Sequence, residues 1–70
     1  MTVGIVKWFD PALGYGYISP SDGSSDVFVH FTALDMAGLE TLGAGQLVSY
    51  LPSREGRVLR ATQLRIAAAA

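Results

Sequence analysis

Small or aliphatic residues alternate with aromatic ones at a period of two in two short runs of this 70-residue chain. That period belongs to strands, whose successive side chains point to opposite faces. In Gly14-Tyr15-Gly16-Tyr17-Ile18 it sets Tyr15 and Tyr17 on one face, with Gly14, Gly16 and Ile18 on the other. In Asp26-Val27-Phe28-Val29-His30-Phe31 it groups Phe28 with His30, and Val27, Val29 and Phe31 opposite them. Pairing the two runs as neighbours gives an aliphatic face (Ile18, Val27, Val29) and an aromatic face (Tyr15, Tyr17, Phe28, His30). A small sheet buries one face and leaves the other to water. Two readings stay open: the rings are core, or they form an exposed patch that marks a binding surface. The aliphatic face is complete without them, and so short a chain has little interior for so many rings. Both features favour exposure.

The remaining pattern supplies three more strands. Residues 3–9 (VGIVKWF) are β-branched and aromatic, which predicts a first strand. Strict alternation would split Trp8 from Lys7 and Phe9, so the three share a surface only if a bulge or strong twist intervenes. Pro11 ends that strand in a loop over 10–13. Residues 14–20 form the second strand, whose two glycines suit close approach or tight curvature. Asp22-Gly23 turns the chain, and residues 26–31 return as the third strand. A single helical turn is expected at 32–34, then a long connection to Gly45. A fourth strand at 46–52, a turn at 53–56 and a fifth strand at 57–66 complete one domain over 1–66, with a frayed tail at 67–70. Five short strands without a substantial helix predict an all-β fold, a five-stranded antiparallel OB-type barrel. Such barrels bind oligonucleotides on the face of their second and third strands, where the rings fall.

Composition narrows the chemistry. There is no cysteine and one histidine, so disulfides, thiolate metal sites and zinc fingers are excluded, and no metal or cofactor is expected. The carboxylates (Asp10, Asp22, Asp26, Asp35, Glu40, Glu55) show no paired spacing for acid–base work, which argues against an enzyme or a small-molecule substrate. No signal peptide or membrane-spanning stretch is evident, and a soluble, cytoplasmic monomer is expected. Five basic residues oppose six acidic ones, and four of the five follow position 53. Those arginines suit either a local positive edge or a solvated strand guarded against aggregation. An SH3-like barrel that binds proline-rich peptides in an aromatic groove is the alternative of a different class.

The three motifs together resemble a known family. Gly4-Ile5-Val6-Lys7-Trp8-Phe9, Gly14-Tyr15-Gly16-Tyr17-Ile18 and Asp26-Val27-Phe28-Val29-His30-Phe31 are similar, in order and spacing, to the cold-shock domain of bacterial cold-shock proteins. The second and third runs correspond to its two ribonucleoprotein motifs, and the likeness continues through Thr32-Ala33-Leu34 to Tyr50 before fading after Pro52. The resemblance implies an OB-type barrel that binds single-stranded RNA and DNA, acts as an RNA chaperone, and so modulates transcription and translation. It implies stacking residues at Trp8, Tyr15, Tyr17, Phe28, His30 and Phe31, Phe9 at the margin, and a basic contact at Lys7. The chain departs from the family pattern in several places. Leu13 replaces a usual lysine, Asp10 a usual asparagine, and Tyr15 and Tyr17 usual phenylalanines. Arg57 and Arg60 stand near the family's usual R-G-P turn and are candidates to restore positive charge. With Leu13 and Asp10 in place, a shallow salt dependence of binding is expected.

Overall fold

β-Branched and aromatic residues fill five strands in a computed structural model that describes residues 2–68. They are β1 (Thr2–Asp10), β2 (Tyr15–Pro20), β3 (Val27–His30), β4 (Leu47–Glu55) and β5 (Val58–Ala68). One helix, α1 (Phe31–Ala37), lies between β3 and β4. The strands close into a barrel in the order β1-β2-β3-β5-β4. β1 pairs antiparallel with both β2 and β4, β2 with β3, and β4 with β5. The closure itself is parallel, with Phe28 of β3 opposite Arg60 of β5. Direction explains this departure from an antiparallel ring. β4 runs against β1, β5 runs against β4, and β5 therefore travels the same way as β1 and β3.

Burial alternates along β2 and β3 as the residue pattern requires, with Ile18, Val27 and Val29 inside. Val6, Val48, Tyr50, Ala61 and Leu64 complete the barrel interior, while Leu34 of α1 and Leu42 of the crossover close its end. Tyr50, isolated from the other rings in sequence, is fully buried, and its hydroxyl has no hydrogen-bond partner among the described residues. That burial pushes its phenol above the usual tyrosine value, with a smaller contribution from Asp22.

β1 resolves the difficulty posed by Lys7-Trp8-Phe9. Val6 pairs with Ile18 and Trp8 with Tyr17, so Lys7 is an extra residue in a bulge. The bulge carries Trp8 to the tyrosine face. Phe9, opposite Gly16, goes inward and packs against the core. Gly16 is what allows this approach: a Cβ there would lie 2.2 Å from the Trp8 carbonyl oxygen and 2.6 Å from Phe9 Cα.

The helix is longer than the single turn expected, and it starts one residue earlier. His30 is its N-cap, with Nδ1 accepting from the Thr32 N–H, and Gly38 ends it in the left-handed conformation at φ 75°. Phe31 is thus the first helical residue and leaves the strand face it would have shared with Val27 and Val29. Pairing also lengthens the last hairpin. β4 continues through Ser53, Arg54 and Glu55, and only Gly56 and Arg57 turn. β5 takes in Ala67 and Ala68 from the stretch expected as a tail, and the rest of that stretch lies outside the described residues.

Candidate nucleic-acid interface

Three strands and a helix start bring six rings together on one side of the barrel. Cross-strand pairing sets Trp8 against Tyr17, Tyr17 against Phe28, and Tyr15 against His30. Trp8 lies 5.6 Å, centroid to centroid, from both Tyr15 and Tyr17. Phe28 lies 5.6 Å from Tyr15, 5.8 Å from Tyr17 and 6.1 Å from His30. Phe31 extends the row, 4.3 Å from His30. These separations are those of packed aromatic pairs, so the rings support one another while keeping a side to solvent. Trp8 is 39% exposed and Phe31 47%, and Tyr15, Tyr17, Phe28 and His30 are half-buried. A contiguous exposed apolar patch of this kind marks an interaction surface.

The turn that presents Phe31 depends on local chemistry. Gly14 sits at φ 81°, where a side chain would press on the Phe31 ring. The Phe31 N–H donates to the Gly14 carbonyl at 2.9 Å. His30 Nδ1 accepts from the Thr32 N–H at 3.4 Å and lies 3.1 Å from Thr32 Oγ1. A backbone N–H can only donate, so Nδ1 is bare and neutral His30 carries its proton on Nε2. The imidazole therefore offers a ligand a ring face and one N–H.

Positive charge at the patch is held by the protein's own carboxylates. Lys7 Nζ lies 2.7 Å from Asp26 Oδ2. Arg60 Nη1 lies 3.2 and 3.3 Å from the two Glu55 oxygens, and its guanidinium carbon is 6.0 Å from the Phe28 ring centroid. Arg57 is exposed in the β4–β5 turn, so β5 brings Arg60 rather than Arg57 to the rings. Asp10 turns its carboxylate into the β1–β2 loop, where it accepts from the Ala12 and Leu13 N–H groups. It secures the loop that carries the exposed Leu13.

Of the ten residues singled out from the sequence, the structure groups Trp8, Tyr15, Tyr17, Phe28, His30, Phe31 and Arg60. It places Lys7 in the bulge beside them, Phe9 against the core and Arg57 in the turn. Sequence reading passed over Asp26, Glu55 and Thr32, the partners of Lys7, Arg60 and His30. Glu55 and Arg60 are diagonal neighbours across a hairpin, a relation visible only once its two-residue turn is fixed. Among the described residues, no group of three or more His, Asp or Glu side chains is placed to hold a metal ion. No helix among them is long and apolar enough to cross a membrane.

Known proteins resemble this chain over most of its length. A family model, the 'Cold-shock' DNA-binding domain, matches residues 2–66. The chain is 54% identical over 50 residues to the probable cold shock protein y4cH of Sinorhizobium fredii, covering 71% of this chain and 72% of that one. It is 55% identical over 47 residues to the cold shock-like protein CspC of Shigella flexneri, covering 67% and 68% of the two chains. Identity to the cold shock-like protein CspE of Escherichia coli K12 is 53% over 47 residues, with the same coverage of 67% and 68%.

Proposed function

The chain belongs to the cold-shock DNA-binding domain family and is a nucleic-acid-binding protein; from that premise we propose that it takes up single-stranded RNA and DNA by stacking unpaired bases on its six-ring surface. One observation carries the reading: Trp8, Tyr15, Tyr17, Phe28, His30 and Phe31 form an unbroken, partly exposed row across β1, β2, β3 and the start of α1. Each stacked base contributes about 1–3 kcal/mol whatever its identity, because every base has a π face. Duplex bases are already stacked on one another and have no free face to offer. The peptide-binding SH3-like alternative is not favoured, since the family match spans the strands that carry the rings.

Function follows by mass action. A protein that binds the open form of a hairpin and not the closed form shifts the equilibrium toward opening, by RT ln(1 + [L]/Kd). No ATP and no catalytic group is needed, so the chain works as a non-enzymatic RNA chaperone in the cytoplasm, as a monomer, modulating transcription and translation. The test is a hairpin RNA labelled with a fluorophore and a quencher at its ends. Added protein should lower its melting temperature progressively with concentration, and Phe28→Ala should require a higher concentration for the same shift. A melting temperature that rises with added protein would rule the chaperone reading out.

A further inference from the structure

Past Phe28 the ring surface opens into a groove between α1 and the β4–β5 hairpin. Its cavity is about 320 Å3, lined by Thr32, Ala33, Met36, Glu55, Arg60 and Gln63 among others. Two of these residues join it to the rings. Arg60 stands opposite Phe28 in the β3–β5 pairing, with its guanidinium beside the Phe28 ring. Thr32 lies against the His30 imidazole. The groove is thus continuous with the stacking surface at two neighbouring points.

Glu55 occupies the cation in this groove. Both its carboxylate oxygens face Arg60 Nη1, at 3.2 and 3.3 Å. The side chains are 32% and 64% exposed, Arg60 the less so. Exposed ion pairs of this kind are weak and readily exchanged. Guanidinium accepts a phosphate in the same forked geometry that it offers a carboxylate. We propose that the groove receives a backbone phosphate of the strand stacked on Phe28, and that Glu55 holds the phosphate's seat on Arg60 until the strand displaces it. The proposal rests on the stacking reading above, because the rings are what bring the phosphate to Arg60. It also gives Glu55 a use in selection. With its charge already answered, Arg60 adds little attraction for polyanions in general, and is released only to a strand whose bases are seated on the neighbouring ring.

The exchange has a signature in salt. Displacing Glu55 leaves a free carboxylate that gathers a cation from solution, offsetting the counterion released from the phosphate. Arg60 therefore adds almost nothing to the salt dependence of the wild-type protein. In Glu55→Gln that offset is gone. An oligothymidylate of about eight nucleotides, within the range of OB-fold site sizes, should bind two- to fivefold more tightly, by the worth of an exposed pair. The slope of log K against log salt should steepen by about 0.7, one phosphate's share for single strands. Two variants separate this from a general change in charge. Glu40→Gln removes an exposed carboxylate from the crossover, outside the groove's lining, and should gain less in affinity and leave the slope unchanged. The double variant Glu55→Gln/Arg60→Gln should lose the gain. At saturation the Gln63 side-chain amide resonance should also shift. The proposal is overturned if Glu55→Gln behaves like Glu40→Gln, or if Gln63 does not respond, while Phe28→Ala still weakens binding; stacking would then survive without the groove. Indifference of binding to both Glu55→Gln and Phe28→Ala would overturn both readings together.

Discussion

Replacing Gly16 with alanine isolates the contact that lets Trp8 join the tyrosines. Gly16 does not rely on a positive φ, so the substitution tests space alone. Its new Cβ would meet the Trp8 carbonyl oxygen at 2.2 Å, Phe9 Cα at 2.6 Å and the Trp8 carbonyl carbon at 3.0 Å. All three are backbone atoms, which no rotamer change can move aside. β1 has to retreat by roughly 1 Å to restore ordinary van der Waals contact, and the β1–β2 hydrogen bonds stretch with it. Overpacking a tight site costs about 1–3 kcal/mol, and each weakened ladder bond about 1 kcal/mol more. A total near ~3 kcal/mol lowers the melting temperature of a domain this size by roughly 12–24 °C. Gly23→Ala is the matched control. Gly23 has φ 81° and, among the described residues, nothing within 4 Å of an added Cβ. Its substitution carries only the conformational penalty, about 1 kcal/mol, or roughly 4–8 °C. Thermal unfolding followed by circular dichroism compares the two. A Gly16→Ala midpoint no lower than that of Gly23→Ala would refute the claim that backbone approach at Gly16 sets the position of Trp8.

Three other outcomes follow from the same structure. Tyr50→Phe removes a buried hydroxyl that has no partner among the described residues, so neutral-pH stability should hold or rise by up to about 1 kcal/mol. Because the folded phenol is raised above its ordinary value of 10.0, wild-type stability should fall as pH climbs above that value toward the folded one; alkaline unfolding should come later in the variant. His30→Ala should weaken nucleic-acid binding and also lower stability by about 0.5–2 kcal/mol through loss of the helix cap, whereas Phe31→Ala, which is exposed, should chiefly weaken binding; calorimetric unfolding beside an oligonucleotide titration separates the two. With Lys7 paired to Asp26 and Arg60 to Glu55, and Arg60 adding almost nothing, wild-type binding should lose affinity with salt on a log–log slope no steeper than about −0.7, one phosphate's worth; a slope several times larger would contradict the dominance of stacking.

Local alternation carried the faces of β2 and β3, because each residue's side is settled by its neighbour. Ile18, Val27 and Val29 go inward, and Tyr17, Phe28 and His30 sit on the other face. Trp8 and Phe9 needed more than alternation. Their sides are set by the bulge at Lys7, which arises from pairing with β2 and from the room that Gly16 leaves. Phe31 escaped the pattern for a different reason. Alternation extrapolates through it, but the His30 cap ends the strand and begins α1. Gly38, a suitable left-handed stop, was the available signal for the full helix. The carboxylates over Lys7 and Arg60 were out of reach. Asp26 is 19 residues from Lys7, and Glu55 meets Arg60 only in one hairpin register.

Trp8 reports on its own surroundings, and its intrinsic fluorescence gives the most direct reading of the central claim. The protein is titrated with an unstructured single-stranded oligonucleotide and with a blunt duplex of matched sequence, at one salt concentration. Quenching that saturates with the single strand alone, and that weakens by about 1–3 kcal/mol of binding free energy in Phe28→Ala, is the predicted result. Equal quenching by both, or tight single-strand binding untouched by loss of the Phe28 ring, would contradict it.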